Sequence, residues 1–169
     1  RNLAIGYGAK DDTDAGSTSL GSTDNIFIGK DSGGGTWADA ASNSNVCIGH
    51  GSLRGALNAC VDNIAIGSLT LAATTGGSAN AAIGYAAGYN NLTGDSNVFI
   101  GQWTGGNTTD VDSAICIGNY AGYGVMTAAA DGTVAIGHQA LKVLTSGIGN
   151  TAIGYQSLDA AATSDYNTA

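Results

Sequence analysis

Three cysteines, two histidines and two short acidic runs are the residues of this 169-residue chain with the most chemistry to offer. Thiols can pair, bind metal or attack an electrophile, and imidazoles can ligate or move protons. Their spacing supports none of these. Cys47 and Cys116 recur at one position of a repeat, four repeats apart. At about 4.8 Å per stacked strand that is roughly 19 Å, against the ~7 Å a disulfide tolerates between Cα atoms. Cys60 lies elsewhere in its repeat, and all three read as small apolar packers. His50 and His138 have no His or Cys partner at metal-ligand spacing and read as surface residues. The runs "KDDTD" (10–14) and "DVD" (110–112) could gather Ca²⁺ through carboxylates, but neither fits an EF-hand loop, and solvated loop is the plainer reading. "GYGAKDD" (6–12) and "GNYAGYG" (118–124) are glycine-rich, yet a phosphate loop needs a helix to follow, and none is signalled. No catalytic residue, metal site or cofactor is read from the sequence.

Aromatic residues are the remaining candidates. Trp37, Trp103, Tyr89, Tyr120 and Tyr123 lie outside the repeated core of the motif, where a ring can stack on a sugar or pack on the protein's own surface. Trp37 and Trp103 are the candidate glycan contacts. Asn91-Leu92-Thr93 and Asn107-Thr108-Thr109 are glycosylation sequons, meaningful only in a eukaryotic secretory setting.

What must position these residues is a repeat. Ile-Gly recurs in one register nine times, with glycines at 6, 29, 49, 67, 84, 101, 118, 137 and 154. With that Gly as position zero, position −4 is Asn at 2, 25, 45, 63, 80, 97 and 150, with Ala114 and Thr133 as exceptions. Position −3 is mostly aliphatic, position −1 is always Ile, position −2 is Ala, Cys or Phe, and position +3 is Ala, Ser or Thr. Position +4 is Gly or Leu except at Lys10. Alternation over five residues, rich in Ile and Val and bracketed by Asn and Gly, is the signature of a short strand. A helix is excluded by the glycine load, each costing about 1 kcal/mol against Ala.

A unit of 17–23 residues is one turn of a coil. The expected fold is all-β: a parallel β-solenoid, or β-roll, of about nine turns, filling residues 1–169 as a single repeat array and read as a segment of a longer repeat protein. The longer spacings mark loop insertions at about 10–23 and 31–44. Stacking the turns places Ile5, Ile28, Ile48, Ile66, Ile83, Ile100, Ile117, Ile136 and Ile153 in a ladder, expected inside the coil. Positions +3 and +4 then supply the facing wall, with Leu at 53, 71, 141 and 158 filling core where Gly at 33, 88, 105 and 122 does not. Asn25, Asn45, Asn63, Asn80, Asn97 and Asn150 are expected to hydrogen-bond along the ladder or cap the turn.

Position −2 faces away from that ladder but holds no polar residue in nine repeats: Ala4, Phe27, Cys47, Ala65, Ala82, Phe99, Cys116, Ala135 and Ala152. The expectation is that this stripe is buried against another chain or a second layer. Composition narrows the partners. Net charge is −8 with only five Lys and Arg, which disfavours nucleic acid and anionic lipid. No run approaches the ~20 apolar residues of a membrane span, so no membrane insertion is expected in this segment.

The stretches "NTAIGYQSL" (150–158) and "TVAIGHQAL" (133–141) resemble two related groups. One is the YadA-like head repeat of trimeric autotransporter adhesins; the other is the "NTAIGYQAL" array of phage tail fibres. The resemblance spans the whole chain at motif level. It implies a left-handed roll, a homotrimer with three chains side by side, and a role in attachment to a host-surface glycan or protein receptor. The function expected on these grounds is a non-enzymatic structural and adhesive fibre segment, extracellular, on a cell surface or a virion. The alternatives are a monomeric β-solenoid that binds ice or glycan through a flat face, and a polysaccharide-degrading tailspike.

Overall fold

The computed structural model describes residues 1–10, 21–35, 37 and 40–169. Among the described residues, nine three-residue strands form one parallel sheet in sequence order: β1 Leu3–Ile5, β2 Ile26–Ile28, β3 Val46–Ile48, β4 Ile64–Ile66, β5 Ala81–Ile83, β6 Val98–Ile100, β7 Ile115–Ile117, β8 Val134–Ile136 and β9 Thr151–Ile153. Each pairs with the next without slippage, so Ile48 opposes Ile66 and Ile66 opposes Ile83. The chain is a β-solenoid, one strand per repeat. Turn-to-turn bonding continues beyond the strands: the Trp103 N–H donates to Tyr85 O one turn back, and the Gly105 N–H to Ala121 O one turn on, both at 2.9 Å.

Period two is present, but its phase is the reverse of the one expected. The inward positions are −4, −2 and 0. Phe27, Cys47, Ala65, Ala82, Phe99, Cys116, Ala135 and Ala152 are fully buried in the coil's own core, and of the −2 stripe only Ala4, in the first strand, is exposed. That stripe is therefore not a chain-to-chain interface. The isoleucine ladder is stacked in register but points outward. Ile5, Ile48, Ile66, Ile83, Ile100 and Ile153 are exposed, while Ile28, Ile117 and Ile136 are half-buried. The physical reason is width. The interior is a slot between the strand and the wall formed by positions +3 and +4, and it admits a small residue in every turn and Phe only where the wall yields.

The wall yields by size matching. Gly33 sits opposite Phe27, Gly105 opposite Phe99 and Gly122 opposite Cys116, and a Cβ on any of the three would collide with that side chain. Where position −2 is Ala65, Ala135 or Ala152, position +4 is Leu71, Leu141 or Leu158; Cys47 pairs with Leu53, and Ala82 with Gly88, whose Cβ would meet Leu71 and Phe99 of the adjacent turns. Position +4 is left-handed throughout, with φ of +49° at Leu71 and +57° at Gly105, so the turn accepts either residue. Glycine at position zero has no such freedom. Gly84 has φ +129°, and a Cβ there would lie 2.7 Å from Gly101 O.

The inward asparagines form a continuous hydrogen-bonded column. The Asn45 amide donates to Asn25 Oδ1 (3.0 Å) and to Cys60 O (2.9 Å), and its own Oδ1 accepts from the Asn63 N–H (3.1 Å) and the Asn63 side-chain amide (3.0 Å). All four bonding positions of the side chain are thus used. Asn25, Asn63, Asn80 and Asn97 repeat the turn-to-turn link, and Asn150 resumes it with Asn167. Ala114 and Thr133 interrupt the column, next to a short 3-10 helix at Ala128–Ala130, whose Ala130 O accepts from the Thr133 hydroxyl.

The 31–44 segment is not a solvated bulge over its described residues. Ser32 and Gly33 continue the wall, and Trp37 is only 2% exposed, edge-on to Phe27 at 5.7 Å with its indole N–H donated to Gly33 O. Of the 10–23 insertion, residues 11–20 lie outside the described residues. Its end is stitched in, since Ser22 Oγ accepts from the Ser42 N–H.

Two substitutions test this architecture. Asn80→Ala leaves the Asn97 N–H and one Asn97 amide hydrogen without acceptors, and should cost about 2–4 kcal/mol in urea unfolding; a loss below about 1 kcal/mol would show that the column is not structural. Gly105→Leu should destabilise by about 1–3 kcal/mol through overpacking against Phe99. Combined with Phe99→Ala it should recover much of that loss, because the pair then matches Ala65 with Leu71; strict additivity of the two would refute size matching.

Candidate functional site

Turned out of the core, the strand aliphatics make a face of their own. One column is the position −1 isoleucines. Beside it run Leu3, Ile26, Val46, Ile64, Ala81, Val98, Ile115, Val134 and Thr151 at position −3. Between the end strands, exposure reaches 42% at Ile64 and 41% at Ile83. Neither column holds a charged residue, and Thr151 is the one polar member. Nine strands about 4.8 Å apart make the face about 40 Å long, with an area on the order of 400 Å², comparable to the largest apolar patch on a typical protein, which is often functional.

A second surface is aromatic. Tyr85, at position +1, is 44% exposed, and Trp103, at +2, is half-buried beside it with ring centroids 5.9 Å apart. Trp103 also packs on Tyr89 (5.7 Å) and Tyr123 (6.1 Å), and Tyr123 on Tyr120 (5.0 Å). Lys142 Nζ lies 6.0 Å over Tyr120. The five rings bridge three successive turns. Of the two tryptophans singled out in the sequence, the structure places Trp103 in this cluster and Trp37 in the core, so Trp37 is not available to a glycan. Sequence reasoning omitted Tyr85 because it follows the strand glycine directly; its signal is that it sits one position from the Trp103 column one turn away.

The other candidates are held in structural roles. Asn91 of the first sequon is fully buried, its amide donated to Gly94 O. Asp112 Oδ1 accepts from the Asp95 N–H, and Asp95 Oδ1 from the Ser78 N–H, so these acids also stitch turn to turn. His50 and His138 are exposed, His138 stacked on Tyr155 at 5.4 Å. Among the described residues no group of three or more His, Cys, Asp or Glu side chains could hold a metal ion, and no helix is long and apolar enough to cross a membrane. Of the 10–14 acidic run, residues 11–14 lie outside the described residues.

The cysteines are free and buried. Burial disfavours the thiolate, pushing Cys60 up to about 11 and Cys116 up to about 12, and raising Cys47 as well. The chain matches no family model, no curated protein and no solved structure.

At about pH 8 the folded protein should therefore react with DTNB only on the timescale of unfolding, and all three thiols should react at once in denaturant. Rapid labelling of a native thiol would show that the coil opens where it is described as closed.

Proposed function

We propose that this chain is a structural and adhesive fibre segment, in which copies of the coil associate through the outward aliphatic face. The observation that carries this reading is the face itself: two in-register columns, all Ile, Val and Leu but for Ala81 and Thr151, free of charge and running the length of a regular sheet. Covering on the order of 400 Å² per chain at about 25 cal/mol/Å² is worth on the order of 10 kcal/mol per chain, enough to offset much of the cost of association. Three copies around a common axis are what the likeness of "NTAIGYQSL" to trimeric fibre repeats implies. The interface then lies on the Ile and Val columns rather than on the position −2 stripe. A coil built from many short, equal turns suits a filament, because each turn is held by its neighbours and length is added without a new core. An extracellular setting, on a cell surface or a virion, belongs to the same proposal, as does a non-enzymatic role.

Light scattering tests it. Three copies of the 16.5 kDa chain give about 50 kDa. Ile66→Glu with Ile100→Glu should yield the single-chain mass with an unchanged β-type circular dichroism spectrum, since both side chains are more than a third exposed in one chain. A parent protein that is monomeric would overturn the fibre reading, and thermal hysteresis in such a monomer would select the ice-binding alternative.

A further inference from the structure

We infer that the aromatic cluster of Tyr85, Tyr89, Trp103, Tyr120 and Tyr123 is a binding platform for a neutral polysaccharide. The inference deepens the adhesive half of the proposed function by naming a ligand class and a site. The coil does not require these rings. Equivalent positions elsewhere hold Leu69, Gln139 and Gln156 in place of Trp103, and Arg54, Ala72 and Asp159 in place of Tyr89 and Tyr123. Beneath the rings, Ala87, Phe99, Thr104 and Ala121 are all fully buried.

The platform is held ready. Trp103 lies over Gly106, where a Cβ would fall 2.8 Å from the indole Cε3 and 3.2 Å from Tyr123 Cε2, so the ring occupies space that the glycine leaves open. Tyr85, Tyr89 and Tyr123 fix it from three sides. A ligand meeting ordered rings loses less entropy to side-chain ordering on binding.

The polar atoms point to a saccharide. Among the described residues, neither the Trp103 indole N–H nor any hydroxyl of the four tyrosines is bonded to a protein partner, in contrast with the Trp37 N–H on Gly33 O. Amide pairs border the rings. Asn90 donates to Asn107 Oδ1 (3.2 Å) beside Tyr89, and Asn119 to Gln102 Oε1 (3.3 Å) beside Trp103 and Tyr120. Each amide keeps further donor and acceptor capacity of the kind that vicinal hydroxyls match. Aromatic faces take the apolar C–H face of a pyranose, and the ring edges and amides take its hydroxyls. Across these three turns, positions +1, +2, +5 and +6 are Tyr85, Ala86, Tyr89 and Asn90, then Gln102, Trp103, Gly106 and Asn107, then Asn119, Tyr120, Tyr123 and Gly124. None is charged, and Lys142 over Tyr120 is a single cation in a chain of net charge −8, which disfavours an acidic polymer.

The two tryptophans make the test readable, because Trp37 reports on the core and Trp103 on the platform. The assembled protein is screened on an array of neutral and acidic glycans and titrated with cellohexaose, maltohexaose and the array hits, following tryptophan emission. At least one neutral glycan should shift the emission of wild type and of Trp37→Phe. Tyr123→Ala by emission, and Trp103→Ala by isothermal titration calorimetry because it lacks the reporter ring, should each weaken that binding by about tenfold or more. Tyr85→Ala, at an exposed ring, serves if either of those variants melts early, and Tyr7→Ala, outside the platform, should bind normally. The Ile66→Glu, Ile100→Glu protein is titrated in parallel, which separates loss of assembly from loss of sugar binding. Failure of every neutral glycan to bind, preference for a sulfated or uronic polymer, or full binding by the three platform variants would overturn the proposal.

Discussion

A buried carboxamide bonded to its own copy one turn away is the interaction on which this coil depends. An inward Asn at 25, 45, 63, 80 or 97 satisfies its donors and acceptors with the neighbouring Asn, a neighbouring backbone N–H and a loop carbonyl. Left unpaired, such a group in a dry interior costs on the order of 1–3 kcal/mol, so register errors are penalised at each turn that carries the Asn. The column therefore does more than add strength. It holds −4 inward, and parity then sends −2 and the glycine inward and −3 and −1 outward. Spacings of 17 to 23 residues are tolerated because the column and the strand re-establish the path after each excursion.

With the interior committed to Asn, a small residue and Gly, the largest aliphatics have nowhere to go but out. The core that remains is narrow and exact in volume. Phe27 and Phe99 stand opposite Gly33 and Gly105, Leu71 and Leu141 opposite alanine, and Leu53 opposite Cys47. A globular domain buries its isoleucines and exposes its polar residues. Here the polar column is inside and an isoleucine column is outside, which makes the molecule's surface an assembly problem as much as a solubility problem. That inversion is why the outward face, and not the position −2 stripe, carries the proposal of association.

Two tryptophans show how one residue type serves two purposes. Trp37 enters the core within an enlarged repeat, its N–H bonded and its ring against Phe27. Trp103 follows its strand glycine by two residues, at φ +55°, and is left on the surface among tyrosines. Only the path of the backbone distinguishes them, since both sit outside the strands and both are flanked by small and polar residues.

From the sequence alone, the repeat determined the strands, their parallel order, their register and the asparagine column, because identical residues at a fixed beat can satisfy one another only by stacking. Which side of the strand faced inward was not determined. Alternation with period two is unchanged when the two faces are exchanged, and hydrophobicity favoured the wrong one, Ile over Ala. The absence of any polar residue at position −2, and the pairing of Phe with Gly six residues on, pointed the other way, but their meaning depended on how wide the coil is. That width is set by the left-handed turns at positions zero, +2 and +4, which bring the wall close to the strand. It is a property of the closed path and not of any one residue. The same closure decided that Trp37 is core and Trp103 surface, and brought Tyr85, Tyr89, Trp103, Tyr120 and Tyr123 from three turns into one patch.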